Sequence, residues 1–307
     1  MRVLIAGSEG MIGSNITRIY ESKGKPGDVV RLMDIRPDGE CDLRCDEDCH
    51  VAVQNLRQVY HLADRTAGLG YARTHHGEML TNSLLISLNL LEAARNAGVE
   101  DYLYVSSSCV YADHYTNEAV PEYYAESYIP EQANEGYGWA KRIAEKQCRY
   151  YYLDYGMRTI IVRPANIYGP SYDWSRSVED MHVIPAIITK MLRGDKEIVV
   201  WGSGKQTRTF MYERDAAELM VELMEKGVAG EAYNLGGREV TIRDLVDDLV
   251  VLCGYQGKII YDTSKPEGPQ RKAQDTNKIT ALLGFRAPHD GLHETIEAAK
   301  RVLLRSA

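Results

Sequence analysis

The chain has 307 residues, 44% apolar and 26% charged, which excludes a disordered or fibrous chain and leaves room for a sizeable core. Its 36 basic and 44 acidic residues give a net charge of −8, and no run of Lys or Arg stands out, which argues against a dedicated nucleic-acid or anionic-membrane binder. Six cysteines are too sparse for a disulfide scaffold. The N-terminus enters an apolar run at once, Val3-Leu4-Ile5-Ala6, with no room for a signal peptide. The longest apolar stretch, Leu84–Ala94, is broken by Ser87, Asn89 and Glu92. A cytoplasmic protein that does not span a membrane is expected.

In chain order, apolar β-branched runs predict buried strands at Val3–Ala6, Val29–Met33, Val59–Ala63, Tyr102–Ser106 and Thr159–Arg163. Helical patterns lie between them at Leu80–Asn96 and Lys141–Tyr155. Alternation of this kind predicts an α/β fold, a doubly wound parallel sheet covered by helices on both faces. After about Pro164 the order blurs into loops rich in Gly, Pro, Trp and Tyr, followed by helices at Ile242–Cys253 and Gly291–Leu304. The expected division is a nucleotide-binding unit over 1–165, also receiving about 205–230, and a smaller substrate lobe over 166–307. The cluster Cys41-x3-Cys45-x3-Cys49-His50 is spaced more loosely than structural zinc sites and has no second pair nearby. It reads as free thiols, and no metal is expected.

The first strand ends in Gly7-Ser8-Glu9-Gly10-Met11-Ile12-Gly13, and a helix opens at Ser14. Glycines at such a turn let backbone approach a pyrophosphate, and the helix N-terminus offers N–H groups and a positive dipole end. Asp34 ends the second strand, 21 residues beyond Gly13. A carboxylate there accepts both adenosine ribose hydroxyls and repels a 2′-phosphate, which favours NAD over NADP; Arg36 pulls the other way. Asp42-Leu43 reads equally as an adenine contact or an exposed loop. Leu62 and Ala63, at the end of the third strand, would let backbone run along the cofactor.

Two further segments carry chemistry: Ser106-Ser107-Ser108-Cys109-Val110-Tyr111 at a strand end, and Tyr137-Gly138-Trp139-Ala140-Lys141. In a helix, Tyr137 and Lys141 share one face. A nearby ammonium stabilises a phenolate and draws the Tyr pKa from ~10 toward neutrality, where it can act as a base. Ser107 can hold the same substrate hydroxyl.

With these motifs, Arg163-Pro164-Ala165-Asn166-Ile167-Tyr168-Gly169-Pro170, Trp201-Gly202-Ser203-Gly204 and Tyr233-Asn234-Leu235-Gly236-Gly237, the sequence resembles the extended short-chain dehydrogenase/reductase family that modifies nucleotide sugars. The resemblance spans nearly the whole chain. It implies a Rossmann-like cofactor unit, transient oxidation of a sugar hydroxyl at C4 by bound NAD, a GDP-hexose substrate and a homodimer joined through helices such as 80–96 and 141–155. Sugar dehydratases of the family carry an acidic pair where this chain has Ser108-Cys109. A cysteine there is similar to the members that epimerise carbons flanking a C4 ketone, the GDP-mannose 3,5-epimerases and the GDP-L-fucose synthases. The stretch Asp180-Met181-His182-Val183-Ile184-Pro185 resembles that of the fucose synthases, in which a histidine supplies the second proton-exchanging group. The mannose epimerases use a lysine in the corresponding loop. Asp34 and the glycine-bearing loop around Gly68 favour an epimerase that keeps its NAD; a synthase-like epimerase-reductase is the alternative. The resemblance further implies substrate contacts by Gly68, Asn166, Arg208 and Arg271, the two arginines meeting the diphosphate. A non-catalytic NAD-binding sensor is the reading from another class, but such modules tend to lose the Tyr or the Lys, and both are present.

Overall fold

The computed structural model describes residues 2–24, 28–33, 41–113, 119–265 and 268–304. Asp34 and Arg36 lie outside the described residues. The first half alternates β1 (Arg2–Ala6), α1 (Met11–Lys23), β2 (Val29–Met33), α2 (Asp46–Val53), β3 (Gln58–His61), the single turn α3 (Leu69–Ala72), α4 (His76–Asn96), β4 (Asp101–Val105), α5 (Glu135–Tyr155) and β5 (Arg158–Pro164). The second half contains β6 (Asn166–Tyr168), α6 (Val183–Arg193), β7 (Glu197–Trp201), β8 (Thr207–Tyr212), α7 (Glu213–Lys226) and β9 (Ala232–Leu235). It continues through β10 (Arg238–Thr241), α8 (Ile242–Cys253), β11 (Lys258–Asp262), β12 (Arg271–Lys272), α9 (Asn277–Leu283) and α10 (Leu292–Leu303).

Six strands form one parallel sheet in the order β2-β1-β3-β4-β5-β9. The predicted doubly wound sheet is therefore present, and each of the five predicted strands forms to within two residues at either end. Side chains alternate across it, as the two-residue period of a strand requires. Leu4, Ala6, Val59, Tyr102, Tyr104 and Ile161 face a core with α2, α4 and α5, while Val3, Ile5, Tyr60, Leu103, Ile160 and Val162 face α1 and α7. Burying an aliphatic side chain of this size contributes about 1.5–3 kcal/mol, so both faces must be covered for the sheet to persist. The order reverses direction between β1 and β3, and in open parallel sheets the crevice at such a point binds ligands.

β6 follows β5 after one residue and pairs with β8, the centre of a small sheet ordered β10-β8-β12. Asn166, Arg208, Arg271 and Lys272 all sit on this small sheet, with Lys272 opposite Arg208 in register. A third core, around Ile188, Ile198, Phe210, Val246 and Ile296, joins it to α6, α8 and α10. No helix among the described residues is long and apolar enough to cross a membrane.

Candidate active site

Gly7 leaves β1 with φ +87°, a conformation that L side chains rarely adopt, and an added Cβ would lie 2.8 Å from Ala63 N. A Cβ on Gly13 would lie 2.0 Å from the Gly7 carbonyl oxygen. The turn is closed on itself this tightly so that α1 can begin beside the strand end. Gly10 is its N-cap and has no side chain to block the first turn. What remains is a backbone cradle at the positive end of a helix, the shape and polarity that a pyrophosphate needs. Gly7, Gly10, Met11, Ile12, Gly13 and Leu62 line a cleft of about 250 Å³. Ala63 backs Gly7 directly. Leu43 is 2% exposed, buried in the core with its carbonyl accepting from the Cys49 thiol, and Asp42 is engaged with Arg44.

The same cleft takes Ser107, Tyr137, Lys141, Asn166 and His182. Helix α5 starts at Glu135, six residues before the predicted start, so Tyr137 and Lys141 do share a helical face. A Cβ on Gly138 would lie 2.7 Å from the Cys109 carbonyl oxygen, and this close approach brings Tyr137 against the exit of β4. Lys141 donates to the Val105 carbonyl at 2.7 Å, and its ammonium lies 5.4 Å from the Tyr137 ring centroid. That ammonium also stands 2.6 Å from Asp64 Oδ2, both side chains being almost fully buried. Sequence reasoning passed over Asp64. The expected lowering of the Tyr137 pKa is not what the protein alone provides. Burial, the Asp64 carboxylate and the Cys109 thiol hold the phenol well above its ordinary range, and the Ser107 hydroxyl offsets only part of this.

Cys109 is half-buried one short turn beyond Ser107, whose Oγ accepts the Cys109 N–H at 3.1 Å. Its sulfur accepts from Asn134 Nδ2 at 3.4 Å. Burial and then Glu131 push the thiol up to about 11, while Lys272 acts in the opposite direction. Glu131 forms an ion pair with Lys272, and its N–H reaches the Cys109 carbonyl at 3.4 Å. This pair was not found in the sequence, because 141 positions separate its members. His182 is exposed at the N-cap of α6. Protein packed around the cleft mouth partly desolvates its imidazole and, with the Arg176 charge, holds it below its ordinary pKa although the residue keeps an exposed edge. Near neutral pH the thiol thus carries a proton and the imidazole does not, the complementary states that removal and delivery of a proton require.

The remaining expected residues divide. Asn166 lines the cleft and donates to the Thr209 carbonyl at 3.0 Å. Arg208 donates to the Thr207 and Pro269 carbonyls from its half-buried side chain. The Arg271 fork is closed bidentately on Glu239, at 2.8 and 2.9 Å. Across from Arg208 in the ladder stands Lys272, so it is this cation that shares Arg208's register. A Cβ on Gly68 would lie 2.7 Å from the Asp180 carbonyl, so Gly68 seats its loop on the segment that carries His182. Cys41, Cys45 and Cys49 are free thiols, and among the described residues no group of three or more His, Cys, Asp or Glu is placed to hold a metal ion.

The NAD dependent epimerase/dehydratase family profile matches residues 3–236. A protein named putative GDP-L-fucose synthase 2, from Oryza sativa subsp. japonica, is 34% identical over 99% of this chain and 87% of its own length. GDP-mannose 3,5-epimerase 1 from Oryza sativa subsp. indica is 28% identical over 96% of this chain and 80% of its own length. Among solved structures, the UDP-glucose 4-epimerase of Thermotoga maritima, with UDP-glucose, superposes with a TM-score of 0.86 at 24% identity, covering 99% of this chain and 100% of that one. That last likeness is one of fold.

Proposed function

The chain belongs to the NAD dependent epimerase/dehydratase family and is an enzyme of it; on that premise we propose that it inverts C3, C5 or both in a GDP-hexose, next to a transient carbonyl at C4. The observation that carries this reading is the single cleft in which Ser107, Tyr137, Lys141 and His182 meet, with the Cys109 thiol on the turn that Ser107 begins. A nicotinamide dinucleotide bound there supplies hydride exchange at C4. Gly7, Gly10, Met11, Ile12 and Gly13 would hold its pyrophosphate, and Leu62 and Ala63 would run beside it. Asp42 and Leu43 would border the adenine. Tyr137 and Lys141 would face the nicotinamide ribose.

The protein's own groups then divide the work. Ser107 orients the C4 oxygen. Tyr137 exchanges a proton with that oxygen, and Lys141 holds its ammonium 5.4 Å from the phenol ring. A C4 carbonyl acidifies the hydrogens on C3 and C5, and inversion needs removal on one face and delivery on the other. Cys109 and His182 serve these two faces. Arg208 and Asn166 hold the diphosphate and sugar from the small sheet, with Gly68 closing the loop above. Arg271 would reach a phosphate only by leaving Glu239, and Lys272, across from Arg208, would share that task only by leaving Glu131. In this reading residues 1–165, also receiving about 205–230, carry the cofactor, and 166–307 mainly the substrate. A homodimer would use the outer faces of α4 and α5, where Leu85, Trp139, Ile143, Tyr150 and Leu153 are exposed.

Two endings are distinguished by the fate of the hydride. Asp34, with its preference for NAD, supports return of the hydride to C4, the outcome of a GDP-mannose 3,5-epimerase. The 34% identity to a protein named as a fucose synthase, together with His182, supports net reduction of a 4-keto-6-deoxy or heptose GDP-sugar by NADPH. The test is to offer GDP-mannose with NAD and, separately, the 4-keto-6-deoxy GDP-sugar with NADPH. Isomerised GDP-mannose with no net cofactor change supports the first ending. Stoichiometric NADPH loss only with the keto sugar supports the second. No turnover of either would overturn the GDP-hexose reading.

A further inference from the structure

Asp64 is a carboxylate to which the proposed chemistry gives no task. It follows Ala63 at the exit of β3 and lines the same cleft as Tyr137 and Lys141. Its side chain is 2% exposed and that of Lys141 3%. Oδ1 is fixed from two directions: Ser83 Oγ on α4 and the Arg65 N–H each donate to it at 2.6 Å. Oδ2 stands 2.6 Å from Lys141 Nζ and has no aligned hydrogen bond among the described residues. A carboxylate held out of water in this way stays charged only if a cation matches it, and the matching cation here is the one expected to act on Tyr137.

We propose that Asp64 is a positioning residue of this site: its clamped carboxylate anchors the Lys141 ammonium against β4 and offsets the positive charge that Tyr137 faces. The inference rests on the proposed part played by Tyr137 and Lys141. Lys141 cannot drift toward the phenol while Val105 O and Asp64 hold it. Tyr137 therefore faces a nearly neutral pair where the helix spacing alone suggests a bare cation. The other groups around the phenol do not replace that charge. His61 on β3 is driven down to about 3, by burial first and then by Lys141, and is neutral. Tyr104 on β4 and Cys109 beyond it hold their protons, and Ser107 has no charge. His182, at the head of α6, is held toward its neutral form. The Lys141–Asp64 pair is thus the local charge with the most leverage over the Tyr137 proton, and the carboxylate raises its affinity for it.

The experiment is a titration read without turnover. Ultraviolet phenolate absorbance is recorded against pH for the parent protein and for Tyr137→Phe, and the difference isolates Tyr137. The same pair is measured in Asp64→Asn and Asp64→Glu backgrounds. The Tyr137 midpoint should fall by about one pH unit or more in Asp64→Asn, the size of effect expected from removing a buried neighbouring charge. Asp64→Glu, which keeps the charge, should stay near the parent. The pH profile of turnover should move in the same direction as the titration. An unchanged midpoint in Asp64→Asn, with its melting temperature retained, would overturn the proposal. If Asp64→Asn does not fold, Ser83→Ala loosens the carboxylate without removing it and should lower the midpoint by a smaller step; no step would again overturn it. Failure of the underlying reading is separate: Tyr137→Phe would then keep its turnover, whatever the titration shows.

Discussion

Lys141 is tied to Val105 at 2.7 Å and to Asp64 at 2.6 Å, inside the central sheet and nearly dry. Cys109 has Asn134 at 3.4 Å as its sulfur's partner, and His182 stands exposed at a helix N-cap. The cleft thus has a rigid side, built where β3, β4 and α5 meet, and a looser side that His182 lines from the loop before α6, with Cys109 outside the lining on the short turn that Ser107 begins. The difference follows from what each side is proposed to do. Hydride exchange requires one carbon and one oxygen held in near-attack geometry, where small misplacements are costly. Proton exchange at C3 and C5 serves two carbons, so its donors gain from slack.

The contrast can be broken by variants that separate the two sides. Tyr137→Phe carries the largest expected effect, a fall of about 10²–10⁴-fold in every reaction of the enzyme, measured as kcat with an unchanged melting temperature. Cys109→Ser should lower inversion by about 10²-fold or more while leaving hydride exchange in place, read as deuterium passing from C4 of 4-deuterated GDP-mannose to the nicotinamide cofactor. If both exchanges fall together, the two sides are not separable. Gly13→Ala places a methyl against the Gly7 carbonyl, where 2.0 Å is available, and should weaken cofactor binding at least about tenfold, about 1.4 kcal/mol, by fluorescence titration. Lys272→Met should have the smallest effect. Lys272 lowers the Cys109 pKa, so its loss should move the pH midpoint of iodoacetamide alkylation upward by less than about one unit. A downward shift would remove Lys272 from that environment.

The rigid side was more legible in the sequence than the loose one, except for its deepest member. The Gly7/Gly10/Gly13 turn and the Tyr137/Lys141 spacing are local patterns, and local patterns survive as written. Strand boundaries were legible because buried parallel strands are near-continuous apolar runs. Asp64 was not, since a single acidic residue after an apolar strand carries no sign that a helix two turns into α4 will clamp it. The return of the chain to the central sheet through α7 and β9 was only partly visible. β9 is four residues long, and its motif Tyr233-Asn234-Leu235 says nothing about which strand it will pair with. On the loose side, the family resemblance implies Arg271 at the diphosphate; the register of β12 against β8, which no local pattern shows, sets Lys272 opposite Arg208 and Arg271 on Glu239. A two-residue strand cannot reveal its face without its partner. Tyr137 differs from expectation in another way: helix spacing foretold the neighbouring ammonium, while the carboxylate that offsets it came from a loop distant in sequence.

The most direct test of the central claim is incorporation of deuterium from heavy water into the hexose ring of GDP-mannose, with NAD present, comparing the parent protein with Cys109→Ser and His182→Asn. Deuterium at C3, C5 or both is expected with the parent and is expected to be lost in either variant. Undiminished ring deuteration in both variants would contradict the assignment of Cys109 and His182 to inversion.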